Sequence, residues 1–356
     1  MRLVGVDAKD FRNLAEVEVI PHRRFNVLVG ENGQGKTNFL EAIYWLATLR
    51  PFRAARPKEL LRFGTEATRV SGEVLHQGLI HRLDVRLAGP RREARREGKP
   101  VKTPAYFGTL AVILFTPDDV GLVRGAPGDR RAFLDRAVFN TRAGHLEDAV
   151  AFRQALQARN ALLRDGADDA LLSAYEGVLA RHGALLGASR QAYVEALTPR
   201  FMRAFQAIVG EAPTAALTFR PDVEGGEAAL LAAWQADRDR DRQRGFTRRG
   251  PQADDIELML DTRPARLVAS QGQQRALVLA LKIAEIALLR EAHGITPVLL
   301  LDDVSSELDP RRNARLFDFL AAFDGQTFIT TTDLAFLPFE TDRQVFRVEA
   351  GRITPE

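Results

Sequence analysis

Residues Gly30 to Thr37 read Gly-Glu-Asn-Gly-Gln-Gly-Lys-Thr, directly after the apolar run Phe25-Asn26-Val27-Leu28-Val29. An apolar strand, a glycine-rich turn and an amphipathic helix from about Lys36 form the setting in which G-x-x-x-x-G-K-T cradles phosphate. The glycines let backbone N–H groups turn inward, and the helix N-terminus adds partial positive charge at the same point. In this reading Lys36 reaches the β- and γ-phosphate oxygens of ATP and the Thr37 hydroxyl ligates Mg²⁺. Gly30, Glu31, Asn32, Gly33, Gln34, Gly35, Lys36, Thr37 and Asn38 are the expected nucleotide contacts. Tyr44, Trp45 and Leu49, further along the helix, are expected in the core.

A second apolar run, Val298-Leu299-Leu300-Leu301, ends in Asp302-Asp303, the Walker B pattern. Asp302 is expected in the Mg²⁺ shell with Thr37, and Asp303 is placed to polarise the attacking water. Ser270-Gln271-Gly272-Gln273-Gln274-Arg275 precedes a long helical stretch. Ser270 is a good N-cap, and Gly272 leaves room for a phosphate to approach the free N–H groups. One nucleotide needs a single phosphate loop, so a second helix N-terminus of this kind is informative. In ABC-type ATPases a signature S-G-G-Q contacts the γ-phosphate of ATP held by the other subunit. Ser305-Ser306-Glu307-Leu308-Asp309 stands at the spacing of their D-loop. The catalytic set expected from these motifs is Lys36, Asp303, Ser270 and Gln273, with Ser270, Gly272 and Asp309 also meeting the nucleotide.

The organisation follows from the texture of the chain. The first hundred residues read as strands around one helix, with a hairpin at 69–88 and a buried strand at 110–115. Helical spacing then covers 129–164, 169–209 and 227–243. From Ile256 the α/β pattern returns. The expected domains are an N-terminal part of an ATPase head (1–117), a mainly helical inserted lobe (118–253) and the rest of the head (254–356). The fold class is α/β: an ABC-type head with a phosphate-loop mixed sheet and an antiparallel β subdomain, and no long coiled coil. The insertion is too poor in sustained heptads for one.

Cys is absent from the 356 residues, which excludes a thiol nucleophile and a Cys-ligated zinc site. Charges interrupt every apolar run before the roughly 18 residues a membrane helix needs, so a cytoplasmic protein without a membrane partner is expected. The net charge of +3 does not by itself imply a polyanion partner. Between Arg82 and Lys102, however, eight cationic side chains face three acidic ones. This stretch reads as a basic hairpin or loop whose Arg91, Arg92, Arg95, Arg96, Lys99 and Lys102 would track a duplex backbone. No aromatic ladder accompanies them, which argues against single-strand stacking. Arg130 and Arg131 are a further candidate DNA or phosphate contact.

The chain resembles the RecF family, recombination-mediator ATPases related to SMC-type heads. The resemblance rests on Phe11-Arg12-Asn13-Leu14, GENGQGKTNFLEAIYWL, the RR-x-FLD block from Arg130 to Asp135, ASQGQQRALVLALKIAE and LLLDDVSSELD. It implies an ATP-dependent homodimer that binds double-stranded DNA and ss/dsDNA junctions and works with RecR and RecO. It also implies a weak, DNA-stimulated ATPase that helps load recombinase at gaps during recombinational repair, with Arg12 and Asn13 near the nucleotide. Two departures stand out. Gln252-Ala253 replaces a usual His-Arg, so no role is carried over to those positions. Thr330-Thr331-Thr332 occupies the place of a transporter's switch His, and a hydroxyl is no general base at neutral pH, which suggests slow hydrolysis. The alternatives are a transporter-type or purely regulatory ABC head without DNA binding; the long 118–253 region argues against the first, and intact Lys36, Thr37, Asp302 and Asp303 against the second.

Overall fold

The computed structural model describes residues 1–53, 56–142, 144–210, 212–303, 310–338 and 341–356. Asp309 and the rest of the expected D-loop lie outside the described residues. The chain divides into two compact units, one of residues 1–119 with 289–356 and one of residues 120–288.

The first unit contains two six-stranded sheets. The first has the order β2-β1-β4-β5-β6-β7 and is antiparallel throughout. Its strands are β1 (Arg2–Phe11), β2 (Leu14–Val19), β4 (Ala67–His76), β5 (Leu79–Ala88), β6 (Arg91–Arg96) and β7 (Lys99–Pro100). The second has the order β15-β14-β3-β13-β12-β8, from β3 (Phe25–Val29), β8 (Val112–Phe115), β12 (Val298–Leu301), β13 (Thr327–Thr331), β14 (Arg343–Glu349) and β15 (Arg352–Pro355). All its neighbours run parallel except the terminal β14–β15 hairpin. β8, β12 and β13 are buried along their full length, as strands covered on both faces must be.

The helix Lys36–Thr48 packs Phe39, Leu40, Ile43, Tyr44, Trp45 and Leu46 into one apolar core with residues of both sheets. Tyr44, Trp45 and Leu49 are buried, as expected. Strand register then sets the chemistry. Leu301 pairs with Ile329, and Val29 with Thr331, so the residues ending β12 and β3 meet the end of β13.

The second unit is mainly helical: Pro127–Thr141, Gly144–Arg164, the 41-residue Asp169–Val209, Gly226–Ala236 and Arg238–Arg244. It also carries the three-stranded sheet β11-β10-β9, with β9 (Ala215–Arg220), β10 (Asp255–Leu260) and β11 (Arg263–Pro264). This corrects the boundary expected at 253/254. β9 falls between the helical spans 169–209 and 227–243 of the lobe read as mainly helical, and it pairs antiparallel with β10 from Asp255↔Arg220 to Leu260↔Ala215, so both strands belong to one unit ending at Leu288.

The RR-x-FLD block is tied into the same unit by ion pairs. Arg130 makes a bidentate pair with Asp255 (2.8 and 2.7 Å), and Arg131 donates to the Asp254 carbonyl (2.9 Å). Asp135 accepts from Arg190, which also donates to buried Asp254 (2.8 Å). The Arg130–Asp135 block and the Asp254-Asp255 pair are two halves of one network, in which buried Arg130 is structural and half-buried Arg131 adds one bond to the backbone. Gln252 donates its amide to the carbonyls of Thr247 and Arg249. No helix among the described residues is long and apolar enough to cross a membrane.

Candidate nucleotide-binding site

β3 delivers the chain to Gly30 between two parallel neighbours, β13 and β14. A Cβ at Gly30 would stand 2.3 Å from the Val348 carbonyl oxygen of β14, so no larger residue fits. The loop tip Glu31-Asn32-Gly33 is exposed. Gly35 then caps the helix at φ 119, a left-handed conformation that favours glycine.

Gln34 is clamped from two sides. Its carbonyl accepts from Asn13 Nδ2 (3.1 Å) and from the Gly351 N–H (2.8 Å), and its Oε1 accepts from the Ala350 N–H (2.6 Å). Asn38 Nδ2 donates to Asn13 Oδ1 (2.8 Å). Asn13 therefore bridges the phosphate loop and the first turn of its helix. Arg12 takes a different partner: its guanidinium pairs at 2.8 Å with Glu41, a fully buried carboxylate on the phosphate-loop helix that also accepts from the Arg53 N–H (2.9 Å). Sequence reasoning missed Glu41 and the Ala350–Gly351 turn. Glu41 left one signal, a carboxylate inside an otherwise apolar helical run.

Lys36 Nζ lies inside the loop, donating to the carbonyls of Gly30 (2.5 Å) and Glu31 (2.8 Å). Burial lowers its pKa, opposed by the nearby charges of Asp303 and Asp302. The Thr37 hydroxyl donates to Asp302 Oδ1 (2.7 Å), and Thr330 Oγ1 donates to the same oxygen (2.9 Å). Burial raises the Asp302 pKa, working against both hydroxyl donors and the charge of Arg53, with Asp303 adding to the rise. Asp303 sits at φ 48, and its N–H donates to Thr330 Oγ1 (2.9 Å).

A hydroxyl and a carboxylate brought together in this way are hard oxygen donors of the kind Mg²⁺ takes, with phosphate oxygens and water completing its shell. No group of three or more acidic or His side chains able to hold a metal by itself occurs among the described residues. Thr37 and Asp302 thus fit an ion that arrives with the nucleotide. Of the three threonines at the switch position, Thr330 shares the Asp302 carboxylate, Thr331 hydrogen-bonds within the turn to Asp333, and Thr332 is exposed.

In the second unit, Ser270 and Gln273 form a capping box: the Ser270 N–H donates to Gln273 Oε1 (2.9 Å), and the Gln273 N–H donates to Ser270 Oγ (3.3 Å). Gln274 is turned inward, its amide donating to the Ala269 carbonyl. The signature helix therefore begins with both polar side chains holding the backbone in place, and Gly272 half-buried between them.

The basic stretch takes the hairpin form of the two expected. It forms β6 and β7 of the antiparallel sheet, and the period of two divides it. Arg92 and Arg96 pair with buried Leu87 and Leu83, whereas Arg91 and Arg95 pair with Ala88 and Asp84 on the opposite face. Arg92 donates to the Leu49 carbonyl (2.5 Å) at the end of the phosphate-loop helix, and burial followed by repulsion from Arg50 lowers its pKa. Arg95 pairs with Glu93 (2.8 Å). Strand alternation therefore puts Arg91 and Arg95 on one face and Arg92 and Arg96 on the other, and Arg92 also ties the strand to Leu49 while staying partly accessible.

A mixed sheet with a phosphate loop after β3, paired carboxylates after β12 and an attendant antiparallel sheet defines an ABC-type ATPase head. The RecF/RecN/SMC N-terminal domain model matches residues 2–352. A DNA replication and repair protein RecF from an Anaeromyxobacter species is 48% identical, covering 100% of this chain and 99% of its own. One from Geobacter sulfurreducens is 40% identical over the whole of both chains. The solved structure of a recombination mediator RecF with ATP superposes with a TM-score of 0.91 at 26% identity, covering 99% of this chain and 97% of that one. An SMC head from Pyrococcus furiosus shares the fold at a TM-score of 0.58 and 14% identity. The chain belongs to the RecF family of DNA replication and repair proteins.

Proposed function

We propose that this protein is an ATP-gated DNA-binding dimer that acts in recombinational repair, helping to load recombinase at gaps or ss/dsDNA junctions, with slow hydrolysis resetting it. The observation that carries this reading is the shared Asp302 carboxylate, on which the phosphate-loop Thr37 and the β13 Thr330 converge. Lys36 exchanges its two carbonyl partners for phosphate oxygens. Thr37 and Asp302 would hold Mg²⁺, whose positive charge would stand against the phosphates. Asp303 orients the attacking water, and Ser270 with Gly272 meets the γ-phosphate of a partner copy. Thr330 can donate or accept a hydrogen bond but not act as a base at neutral pH, which supports slow turnover. Relatives named for the RecFOR pathway support RecR and RecO as partners.

The test is filter binding of duplex and gapped DNA with ATP, with ADP and without nucleotide, with phosphate release followed in the same samples. ATP-dependent retention of DNA, weak with ADP, is expected. Retention independent of nucleotide would overturn the gating.

A further inference from the structure

A groove of about 590 Å³ opens in the first unit, away from the phosphate loop. The loops that line it lead into the N-terminal ends of the parallel strands: Arg23 and Arg24 precede β3, Phe323 precedes β13, and Asp342 precedes β14. The phosphate loop follows the C-terminal end of β3, and Asp302 that of β12. The groove and the nucleotide site thus lie at opposite ends of one sheet.

The lining combines apolar atoms with guanidinium groups. Leu75 and Phe323 contribute the apolar part, and Gly325 keeps Phe323 in place because a Cβ there would stand 2.3 Å from its ring. Arg2, Arg23 and Arg24 supply positive charge. Both lining carboxylates are already matched: Asp342 by Arg23 (3.2 Å) and Arg24 (3.5 Å), and Asp324 by Arg290 (3.4 Å). No carboxylate is paired with Arg2 among the described residues, so the lining keeps an excess of positive charge. The β4–β5 hairpin supplies one wall through Leu75, Gln77 and Gly78, and its next two residues, Leu79 and Ile80, are 65% and 55% exposed.

Arginines beside exposed aliphatic side chains make the composition of a protein interface, and a phosphodiester backbone offers nothing to cover the aliphatic part. We propose that this groove and its hairpin wall dock a partner-protein segment carrying acidic residues next to a large apolar one. The inference does not depend on ATP or DNA binding.

The test uses the full chain and a fluorescein-labelled peptide Glu-Asp-Leu-Phe-Glu-Asp, followed by anisotropy, with hexaglutamate and a short DNA duplex as competitors. Saturable binding is expected, at least about tenfold tighter than hexaglutamate. Arg23→Ala and Ile80→Ser should each weaken it about fivefold or more while ATP binding stays at the wild-type value, which shows that the variants are folded. Absence of saturable binding, equal competition by hexaglutamate, or indifference to both substitutions would each overturn the proposal. Displacement of the peptide by duplex, lost in the Arg23→Ala protein, would assign the groove to nucleic acid instead.

Discussion

The hydroxyl of Thr37 lies 2.7 Å from the carboxylate of Asp302, although 265 positions separate them in the chain. The bond exists because β3 and β12 both flank β13 in register, which brings the first turn of the phosphate-loop helix to the end of the Walker B strand. The same carboxylate oxygen receives Thr330 from the intervening strand. Asp302 is thus held by hydroxyls on both sides and raised in pKa by burial. Bound Mg²⁺ would favour the ionised carboxylate and oppose that rise, adding to the charges of Lys36 and Arg53.

Lys36→Met removes the cation that the loop holds among its own carbonyls. ATP affinity is expected to fall by tenfold or more, about 1.4 kcal/mol or above, in a titration with fluorescent nucleotide. Lys36 is buried and donates to half-buried Gly30 as well as to exposed Glu31, so unfolding is followed alongside to show that the variant is folded at the temperature of the titration. Affinity within about twofold of wild type would remove the basis for the nucleotide assignment.

Gly30→Ala tests the contact between the loop and β14. The added methyl cannot coexist with the Val348 carbonyl at 2.3 Å, so β14 must shift. A loss of about 1–3 kcal/mol in denaturant unfolding is expected, together with weakened ATP binding. Gly33→Ala should be milder: Gly33 has φ 81, but nothing stands within 4 Å of its Cβ position.

The phosphate loop and Walker B pattern were legible because each is a local strand-to-turn unit whose residues declare their own geometry. The clamp on Gln34 was not, since Ala350 lies 316 positions away and nothing local marks its N–H as a partner. β9 escaped for a related reason: Ala215 to Arg220 becomes a strand through pairing with β10. The basic stretch shows a different failure. Its charge was read correctly, but counting charge ignores the alternation of faces, and Arg92 with Arg96 falls on the side of Leu87 and Leu83.

Arg159 is fully buried and holds Glu176 (3.0 Å) and Asp241 (2.7 Å), both buried as well. Arg159→Met would leave Asp241 without its guanidinium partner in the interior. Destabilisation of about 3–5 kcal/mol is expected in urea unfolding, well beyond what a surface ion pair contributes. Arg240→Ala, at an exposed pair with Asp237, serves as the neutral comparison.

Asp135 is one carboxylate that makes the second unit sensitive to acid. Burial works to raise its pKa, but hydrogen bonds from His145 and Arg190 outweigh it and hold it at about 2, against an ordinary 3.8. Its contribution to stability is complete above the unfolded value and disappears as the pH falls through the folded one. Asp135→Asn should therefore lower stability at neutral pH and flatten the decline between pH 4 and pH 2, as read from denaturant midpoints across that range.

The final prediction separates capping from catalysis at Ser270. Its hydroxyl caps the signature helix by accepting from the Gln273 N–H, so part of any effect of substitution is local. Ser270→Ala should cost about 1 kcal/mol in stability through the lost cap. If Ser270 also meets the γ-phosphate bound by a partner copy, a bulky substitution blocks the closing interface and leaves the chain's own phosphate loop intact. Ser270→Arg should then bind ATP almost normally, form no ATP-dependent dimer in sedimentation, and lose hydrolysis. Asp303→Asn should behave in the opposite way: it keeps ATP and Mg²⁺ but fails to orient water, so its dimer should outlast that of the wild type. ADP should dimerise neither protein, because the γ-phosphate that bridges the two copies is missing. A Ser270→Arg protein that dimerises with ATP and hydrolyses it at the wild-type rate would reduce Ser270 and Gln273 to a capping box.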